Sequence, residues 1–566
     1  MANINYNNVI WTHTSFAKPK KKHLINIYKI VKMTNINYNN DSVPTVLLNA
    51  LLYTDGYKLG HHTMYPKGMT KLYSNFTPRA NKYFPEADKG VVVFGIQYFV
   101  KKYLINAFNN QFFNQSREWV EKTYSDLLSS FLGDKVKEKI GIEHILNLHD
   151  KGYLPIELKA LPEGSYCPIG CPVLTITNTD SSFAWLTNYL ETLLSTELWL
   201  PMTSATTADV FKRELVRHAK KTGFYNPEDM TNLNFLCHDF SMRGMSGVDA
   251  AIASGMAHLT SFVGSETVPA IKMLEFYYGA NPKNELVAAT VPATEHSIEC
   301  SNATDMNGNP NDEVYFVNML NTFKDGFISI VADGYDYWNF ISKIVPKYKM
   351  QILNRNSDGK SRVVIRPDSG DPVKIICGDP DSDDPIVRMG SYELLWNTFG
   401  GTINDAGYKV LDPAIGLLYG DSITIKRQKE IYARLEEKGF AATNLVLGIG
   451  SFTYQNRTRD SLGFAMKATY CEIDGVGKEI YKDPKTVTGM PKKSHRGLLM
   501  VVEENGQFKV IDRVTKEQES GKEQEASFKN ELQTVFKDGK LVKEVTLSDI
   551  RKVRDNYINS IFDSND

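Results

Sequence analysis

Two stretches of sequence decide the predicted fold: residues 362–370, RVVIRPDSG, and residues 415–422, IGLLYGDS. Each joins a short apolar run to a turn rich in aspartate or glycine. The pattern recurs between about residues 230 and 460, and helix-like segments follow several of the turns. The apolar runs are Asn232–Cys237, Ser261–Val263, Val287–Val291, Phe327–Val331, Arg362–Ile365, Ile415–Tyr419 and Asn444–Leu447. The clearest helix is predicted at Ile423–Lys438, with Gly439 at the position that often ends a helix.

Strands that alternate with helices indicate parallel βαβ units. Polar residues after each strand favour an irregular (β/α) barrel with its site at the carboxyl ends of the strands, and we assign this barrel to residues 201–459. A doubly wound sheet is the alternative, and it too binds ligands beyond the strand ends. Residues 41–200 and 460–566 have less regular spacing. We predict that they form one discontinuous α/β domain beside the barrel.

The beginning of the chain differs from the rest. Met1–Met33 contains six lysines but no aspartate or glutamate, and the hexapeptide NINYNN occurs at residues 3–8 and again at 35–40. We predict that residues 1–40 are a flexible basic extension without a role in the chemistry. A targeting or RNA-binding arm is the alternative.

Composition excludes several classes of protein. Of the 566 residues, 42% are hydrophobic and 23% are charged, which is typical of a globular protein. The net charge of −1 argues against nucleic-acid or anionic-membrane partners. No apolar run reaches the length of a membrane span, and no secretory signal pattern is present. Six cysteines are too few for a disulfide scaffold, so we expect a reducing, cytoplasmic location.

The predicted turns carry a characteristic mixture of side chains. Arginines offer planar forks for phosphate oxygens, carboxylates suit ribose hydroxyls or a magnesium ion, and Gly448–Ser451 allows backbone N–H groups to approach an anion. No lysine follows these seven strands, which argues against a Schiff-base aldolase. No G-x-G-x-x-G follows an early strand, so a dinucleotide cofactor domain is not indicated. The mixture favours a substrate that carries both phosphate and sugar.

Motifs along the whole chain resemble one known family. In the middle of the chain they are HDFSMRG at 238–244, PATEHS at 292–297, IRPDSG at 365–370 and Gly420-Asp421. Nearer the ends they are TDGYK at 54–58, KLYSNF at 71–76, LPIELKA at 154–160 and TVFKDGK at 534–540. In this order they are similar to the nicotinamide phosphoribosyltransferases, which are type II phosphoribosyltransferases. The resemblance extends from about residue 45 to 555.

The resemblance implies a reaction and an assembly. Nicotinamide would react with phosphoribosyl pyrophosphate to give nicotinamide mononucleotide and pyrophosphate, in the salvage of NAD. ATP hydrolysis would be coupled through a phosphorylated His296, with Asp333 orienting the ring or sharing its pocket. Mg²⁺ would accompany the diphosphate, with no protein residue assigned as its ligand. The enzyme would be a homodimer whose active sites lie at the interface.

The resemblance also assigns the remaining site residues. Nicotinamide would lie between Phe240 and the partner's Tyr57, with Glu266 at its amide and Arg366 beside it. Asp55 of the partner subunit would orient the arginines. The ribose and mononucleotide group would be Arg366, Asp368, Gly420, Asp421, Gly450, Ser451 and Arg459. The phosphate and diphosphate group would be Arg243, His296, Arg366, Arg79, Lys467 and Lys482.

Two positions depart from the family pattern. Glu266 stands where aspartate is usual, so its carboxylate reaches one methylene further. Ser451 and Phe452 interrupt a glycine-rich phosphate loop, and their Cβ atoms are expected to restrict positive φ and to crowd the phosphate. A nicotinate phosphoribosyltransferase is the enzymatic alternative, although Glu266 would repel the nicotinate carboxylate. An inactive relative that acts as a binding protein is the other alternative.

Overall fold

The computed structural model describes residues 49–485, 493–521 and 529–563. The unit that begins at Asn49 is compact. The predicted extension 1–40 lies outside the described residues, and the domain boundaries near 200 and 460 remain predictions. Within the described ranges no helix has the length and apolar character needed to cross a bilayer.

The strands form two large sheets and three small ones. In chain order they are β1 (Met69–Thr77), β2 (Val91–Val92), β3 (Ile156–Ala160), β4 (Tyr166–Cys167), β5 (Leu174–Asn178), β6 (Cys237–Phe240), β7 (Gly264–Ser265), β8 (Phe327–Val331), β9 (Arg362–Arg366), β10 (Gly401–Ile403), β11 (Lys409–Leu411), β12 (Ile415–Tyr419), β13 (Phe440–Ala441), β14 (Leu445–Gly450), β15 (Ala465–Ile473), β16 (Val476–Glu479), β17 (Leu498–Glu504), β18 (Gln507–Val514), β19 (Gln533–Lys537) and β20 (Lys540–Leu541).

The site lies on a six-stranded parallel sheet in the order β7-β6-β14-β12-β9-β8. Its strands are short and mostly buried, as expected of a parallel sheet covered on both faces. The two edge strands approach the same segment, because Gly264 of β7 bridges Ala289 and Ser329 of β8 bridges Ala293. The sheet is therefore curled, and the predicted α/β class is confirmed.

Three of the predicted strands are corrected. Ser261–Val263 forms no strand, and β7 consists of the two residues directly after it. Val287–Val291 forms no strand and contributes a single bridge at Ala289, because Pro292 lacks the N–H that would continue a ladder. The first strand begins at Cys237, since Leu233–Phe235 forms a 3₁₀-helix instead. The prediction of seven strands was therefore wrong, since six strands of the described residues carry the site, and the irregular barrel assigned to residues 201–459 stays a prediction.

The second large sheet is antiparallel and draws its strands from both ends of the chain. Its order is β16-β15-β1-β5-β3-β19-β20. Strand β1 pairs with β15, so that Asn75 faces Lys467, and β3 pairs with β19. The strand pairing thus joins residues near 70 and 160 to residues near 470 and 535.

Helices surround both sheets, and the longest, Glu191–Lys221, is almost wholly buried. It contacts β15 of the antiparallel sheet and the helices Val248–His258 and Ile425–Glu437 beside the parallel sheet. The last of these is the helix predicted at Ile423–Lys438, and Gly439 after it has a φ of 76°. The other α-helices of four or more residues are Ile96–Phe99, Arg117–Leu132, Asp134–Ile140, Glu143–Lys151, Leu186–Tyr189, Val268–Tyr278, His296–Asn302, Asp312–Thr322, Lys349–Arg355, Pro372–Cys377, Pro385–Met389, Ser391–Phe399, Ser451–Gln455, Lys516–Ser520 and Leu547–Asp563.

Candidate active site

The carboxyl ends of the parallel strands lie along one edge of the curled sheet and carry most of the predicted residues. Phe240 ends β6, Arg366 ends β9 and Gly450 ends β14. The turns directly after strands β7, β8, β9, β12 and β14 contribute Glu266, Asp333, Asp368, Gly420, Asp421 and Ser451. Parallel pairing brings these groups together although the first, Phe240, and the last, Ser451, are 211 positions apart in sequence.

Asp333 joins two of the predicted residues. Its Oδ1 lies 3.2 Å from Nε2 of His296, and its Oδ2 accepts the backbone N–H of Asp368 at 3.1 Å. The Asp333 side chain is only 4% exposed, whereas His296 is 48% exposed. One nitrogen of the imidazole therefore contacts a buried carboxylate, while much of the ring is exposed to solvent.

Arg366 is held from two sides. Its Nη2 donates to the carbonyl oxygen of Thr294 at 2.7 Å, and its Nε lies 3.5 Å from Oδ2 of Asp368. Thr294 is fixed in turn, because its Oγ1 accepts the N–H of Val331 at 2.9 Å. The segment before His296 is thus anchored to β8 and to the arginine at once.

The carboxylates of this edge influence one another. Burial raises the pKa of Asp368, and the negative charges of Asp333 and Asp421 raise it further. The positive charges of Arg366 and His296 oppose this rise in the pKa. The strand ends therefore form a negatively charged cluster with a single arginine in it, a surface suited to hydroxyl donors.

The ring of Phe240 lies directly against glycine backbone. A Cβ atom on Gly420 would stand 2.8 Å from Cε2 of the ring, and one on Gly448 would stand 2.5 Å from Cδ2. Only glycine fits at these two positions with the ring in place. The ring is half-buried, so it offers a fixed aromatic surface to a flat ligand.

Glu266 is exposed, and its Oε1 accepts a hydrogen bond from the hydroxyl of Thr290. Thr290 also lines a cavity of about 680 Å³ on the inner side of the curled sheet, together with His238, Ser329 and Val364. Thr290 thus connects Glu266, at the strand ends, to the wall of this cavity. Its carboxylate is oriented by a neighbour that sequence reasoning did not identify.

The loop after β14 departs from our expectation. Gly450 has a φ of −84°, and a Cβ atom added there would meet no other atom within 4 Å. Ser451 begins the helix Ser451–Gln455 with ordinary helical backbone. The prediction that Cβ atoms would be constrained by positive φ was therefore wrong. Gly244 makes room for the Ser451 hydroxyl, since a Cβ atom on Gly244 would overlap it.

A cationic group lies where β1 and β15 pair. Arg79 and Lys467 line a pocket of about 150 Å³ that also includes Lys493 and His495. Burial lowers the pKa of Lys467, and the charges of three nearby cations lower it further. These are Arg79, Arg459 and Lys482. Arg459 likewise lowers the pKa of Arg79, after the larger effect of burial. All four predicted cations are therefore close enough to interact.

Arg243 lies beside the strand ends, whereas Asp55 and Tyr57 stand apart from them. Arg243 is exposed on a 3₁₀-helix after β6 that contacts the helix Ser451–Gln455. Asp55 accepts a hydrogen bond from Thr192 at 2.7 Å, and Tyr57 is 64% exposed with its ring 5.2 Å from that of His61. In the described part of this single chain, the contacts of Asp55 and Tyr57 are with residues before 200 and not with the strand ends.

Sequence reasoning missed four residues that shape this edge. Thr290 and Thr294 orient Glu266 and Arg366 as described above. Asp239 is buried and accepts hydrogen bonds from Ser241 and Thr267, which fixes the turn after β6. Glu299 lies with His296 and Asp333 in a group whose polar atoms are all within 4.8 Å of one another. Glu299 follows His296 by three positions, and this spacing places both residues on one face of a helix, so the sequence could have indicated their proximity.

Comparison with known families agrees with this geometry. The family profile "Nicotinate phosphoribosyltransferase (NAPRTase) family" matches residues 235–540, which include every strand of the parallel sheet. A second profile, "Nicotinamide phosphoribosyltransferase, N-terminal domain", matches residues 49–158. The chain belongs to the nicotinate phosphoribosyltransferase (NAPRTase) family. Membership confirms the resemblance that the motifs indicated.

Individual relatives refine the position within the NAPRTase family. A nicotinamide phosphoribosyltransferase of Acinetobacter baylyi is 45% identical over 92% of this chain and 99% of the relative. One of Mycoplasma genitalium is 33% identical over 80% of this chain and 95% of the relative. The solved structure of human nicotinic acid phosphoribosyltransferase is 14% identical, with a TM-score of 0.51 over 91% of this chain and 94% of that one. This last likeness concerns the fold alone.

We predict that a side chain at position 448 destabilises the fold, because the ring of Phe240 packs directly against Gly448. Gly448→Ala should lower the free energy of unfolding by about 1–3 kcal/mol, because the new methyl group overlaps the ring and the backbone of Gly420. Gly450→Ala is the matched control and should change it by less than about 0.5 kcal/mol. Urea unfolding of both variants measures the difference. Equal losses would show that the ring does not depend on Gly448.

Proposed function

We propose that this chain transfers the phosphoribosyl group of phosphoribosyl pyrophosphate to nicotinamide, giving nicotinamide mononucleotide and pyrophosphate, as a step of NAD salvage. The observation that carries the proposal is the joint position of Phe240, Glu266 and the Asp333–Asp368 cluster at one edge of the sheet. The names of the relatives from Acinetobacter baylyi and Mycoplasma genitalium support the same reaction.

Each part of the substrate finds a matching group. The pyridine ring would stack on Phe240 with its amide toward Glu266. Asp368 and Asp421 would accept hydrogen bonds from the ribose hydroxyls, and the backbone of Gly420 would approach the sugar beside them. The N–H groups at Gly450 and Ser451, with Arg459, would hold the 5′-phosphate. Arg243 and Arg366 would bind phosphate oxygens on the pyridine side.

The transfer itself requires little proton movement. The pyridine nitrogen bonds to C1′ of the ribose as the bond from C1′ to the diphosphate oxygen breaks, and the electron pair leaves with the diphosphate. Negative charge therefore develops on the leaving group. The cationic group of Arg79, Lys467 and Lys482 would stabilise that charge, together with Mg²⁺ that arrives bound to the diphosphate as part of the substrate.

ATP coupling is the second part of the proposal. The Nε2 of His296 faces Asp333, and no described residue forms a hydrogen bond with Nδ1. Nδ1 is therefore the nitrogen that can attack the γ-phosphorus of ATP. An imidazole on a buried carboxylate is a competent nucleophile at neutral pH, because the carboxylate stabilises the charge that the ring gains.

We predict that His296→Ala removes ATP coupling while phosphoribosyl transfer persists. Without the imidazole no phosphoenzyme can form, but the groups that bind nicotinamide and the sugar stay in place. ATP hydrolysis and mononucleotide formation should be measured separately, with and without ATP. Ser297→Ala, which removes only a hydroxyl bonded to Glu295, is the control. ATP-stimulated turnover in His296→Ala would refute the phosphohistidine role.

Glu266 is proposed to select nicotinamide over nicotinate. The amide offers two N–H donors to the carboxylate, whereas nicotinate would bring a second negative charge against it. Thr290 supports this arrangement, because its hydroxyl already donates to one oxygen and fixes the direction of the other.

We expect wild-type enzyme to prefer nicotinamide by at least about tenfold in kcat/KM. Glu266→Gln should weaken this preference, since the repulsive charge is lost and a donor is gained. Glu266→Asp is the control and should keep the preference for the amide. Parallel assays with both substrates measure the ratio. Equal use of nicotinate by the wild type would favour the alternative function, and no product from either substrate would favour an inactive relative.

A shared site in a homodimer is the last part of the proposal. Tyr57 is largely exposed in the single chain, and its contacts lie away from Phe240. A two-fold partner could bring Tyr57 and Asp55 to the strand ends of its neighbour.

We predict that Tyr57→Ala and Arg366→Ala, each inactive alone, recover activity when their subunits exchange. Half of the dimers in an equal mixture are mixed, and each holds one intact site, so about a quarter of wild-type activity should return. A mixture of Tyr57→Ala with Asp55→Ala is the control, because both changes alter the same contribution and no site is intact. Absence of recovery after verified exchange would contradict a shared site.

A further inference from the structure

Glu299 is a buried carboxyl group beneath the candidate nucleophile. It lies one turn after His296 on the helix His296–Asn302 and is fully buried. No side chain of the described residues forms a hydrogen bond with its oxygens, and the nearby backbone N–H of Gly334 lowers its pKa only slightly against the effect of burial. The side chain lies against Gly334, where a Cβ atom would stand 2.5 Å from Oε2. The backbone after β8 thus makes room for this carboxyl, directly beside Asp333.

A comparison within the same chain shows how unusual this environment is. Glu163 is also buried, but its carboxylate accepts the N–H of Gly95 at 2.9 Å and the hydroxyl of Tyr278 at 2.9 Å. Buried carboxylates that serve only the fold are satisfied in this way. Glu299 has no side-chain partner of this kind, and polar atoms of His296 and Asp333, the two groups assigned to the ATP step, lie within 4.8 Å of its carboxyl.

Charges around Glu299 come from three elements. His296 is on its own helix, Asp333 and Tyr335 lie in the loop after β8, and Asp312 and Tyr315 are on the helix Asp312–Thr322. Burial raises the pKa of Glu299 to about 7, and the negative charges of Asp312 and Asp333 contribute to the rise. The backbone of Gly334 and the charge of His296 oppose it. The group therefore exchanges its proton near neutral pH.

We propose that Glu299 is a positioning residue for His296: it carries a proton, so that the carboxylate of Asp333 is the one negative charge beneath the imidazole. The inference rests on the proposed ATP coupling through His296. Two carboxylates this close cannot both be ionised without a large repulsive cost.

The protonated state of Glu299 suits each change in the phosphorylation step. The lone pair of Nδ1 forms a bond to the γ-phosphorus, the bond from that phosphorus to the β,γ-bridging oxygen breaks, and ADP leaves with the electron pair. The ring gains one positive charge, which the single charge of Asp333 balances. A second anion beneath the ring would keep the imidazole protonated before attack and would repel the γ-phosphate.

The test is the pH dependence of phosphoenzyme formation from [γ-³²P]ATP, followed between pH 6 and 9. In the wild type the rate should fall above neutral pH as Glu299 loses its proton. Glu299→Gln is permanently neutral and should keep its rate, exceeding the wild type by about tenfold at pH 8. Asp312→Asn removes one of the charges that hold the proton on Glu299, so the fall should move to lower pH. Glu163→Gln, a buried acid outside the site, should keep the wild-type profile.

A second measurement does not require ATP. Titration of Glu299 by ¹³C NMR in the full-length enzyme, labelled at glutamate Cδ and assigned by the signal that is missing in Glu299→Gln, should give a midpoint near pH 7 that moves to lower pH in Asp312→Asn. If the wild type forms no phosphoenzyme, the ATP coupling fails, and this midpoint alone decides whether Glu299 carries a proton at neutral pH.

Three results would overturn the inference. One is an unchanged pH profile in folded Glu299→Gln, and another is loss of its phosphorylation at every pH. The third is a Glu299 midpoint well below neutral pH. Thermal melting establishes whether the variant is folded. If Glu299→Gln does not fold, the pH profile of Asp312→Asn is the test. The inference is then refuted if the fall in phosphorylation rate does not move to lower pH in that variant.

Discussion

Parallel pairing of six short strands is the constraint on which the site depends. Each strand contributes only one or two functional residues, and these are useful only because all six strands end at the same edge. Asp333 then converts proximity into fixed geometry, because one carboxylate bonds both the imidazole of His296 and the backbone of Asp368. A change in the register of β8 or β9 would break both bonds at once.

Glycine has a different purpose at different points of this edge. Gly420 and Gly448 are required by the ring of Phe240, which occupies the space of their missing side chains. Gly450 has open space around it and an ordinary φ, so its value lies in its N–H and not in its conformation. The family's glycine-rich loop can therefore accept Ser451 without strain, which the sequence pattern alone could not show.

Much of the site could be predicted from sequence because strand-turn patterns are local. The turns that hold Asp333, Asp368 and Asp421 follow apolar runs, and their order identified both the fold class and the family. The bridges around Ala289 could not be predicted, since an apolar run before Pro292 has the composition of a strand but lacks the donor to continue one. Glu299 could not be predicted either, because a glutamate in a helix is normally expected to be exposed. Its burial beside Asp333 depends on tertiary contacts that the local sequence does not reveal.

The antiparallel sheet has a consequence for how the protein is made. Strands β1, β5 and β3 come from the first third of the chain, but the strands that cover the edges of this three-stranded unit, β15 and β19, follow some hundreds of residues later. A ribosome adds roughly 5–20 residues per second, so the nascent protein carries two open strand edges for tens of seconds. Such edges pair readily with other chains. Synthesis of this enzyme therefore passes through an interval in which crowded or heated cells would lose it to aggregation before its last hundred residues emerge.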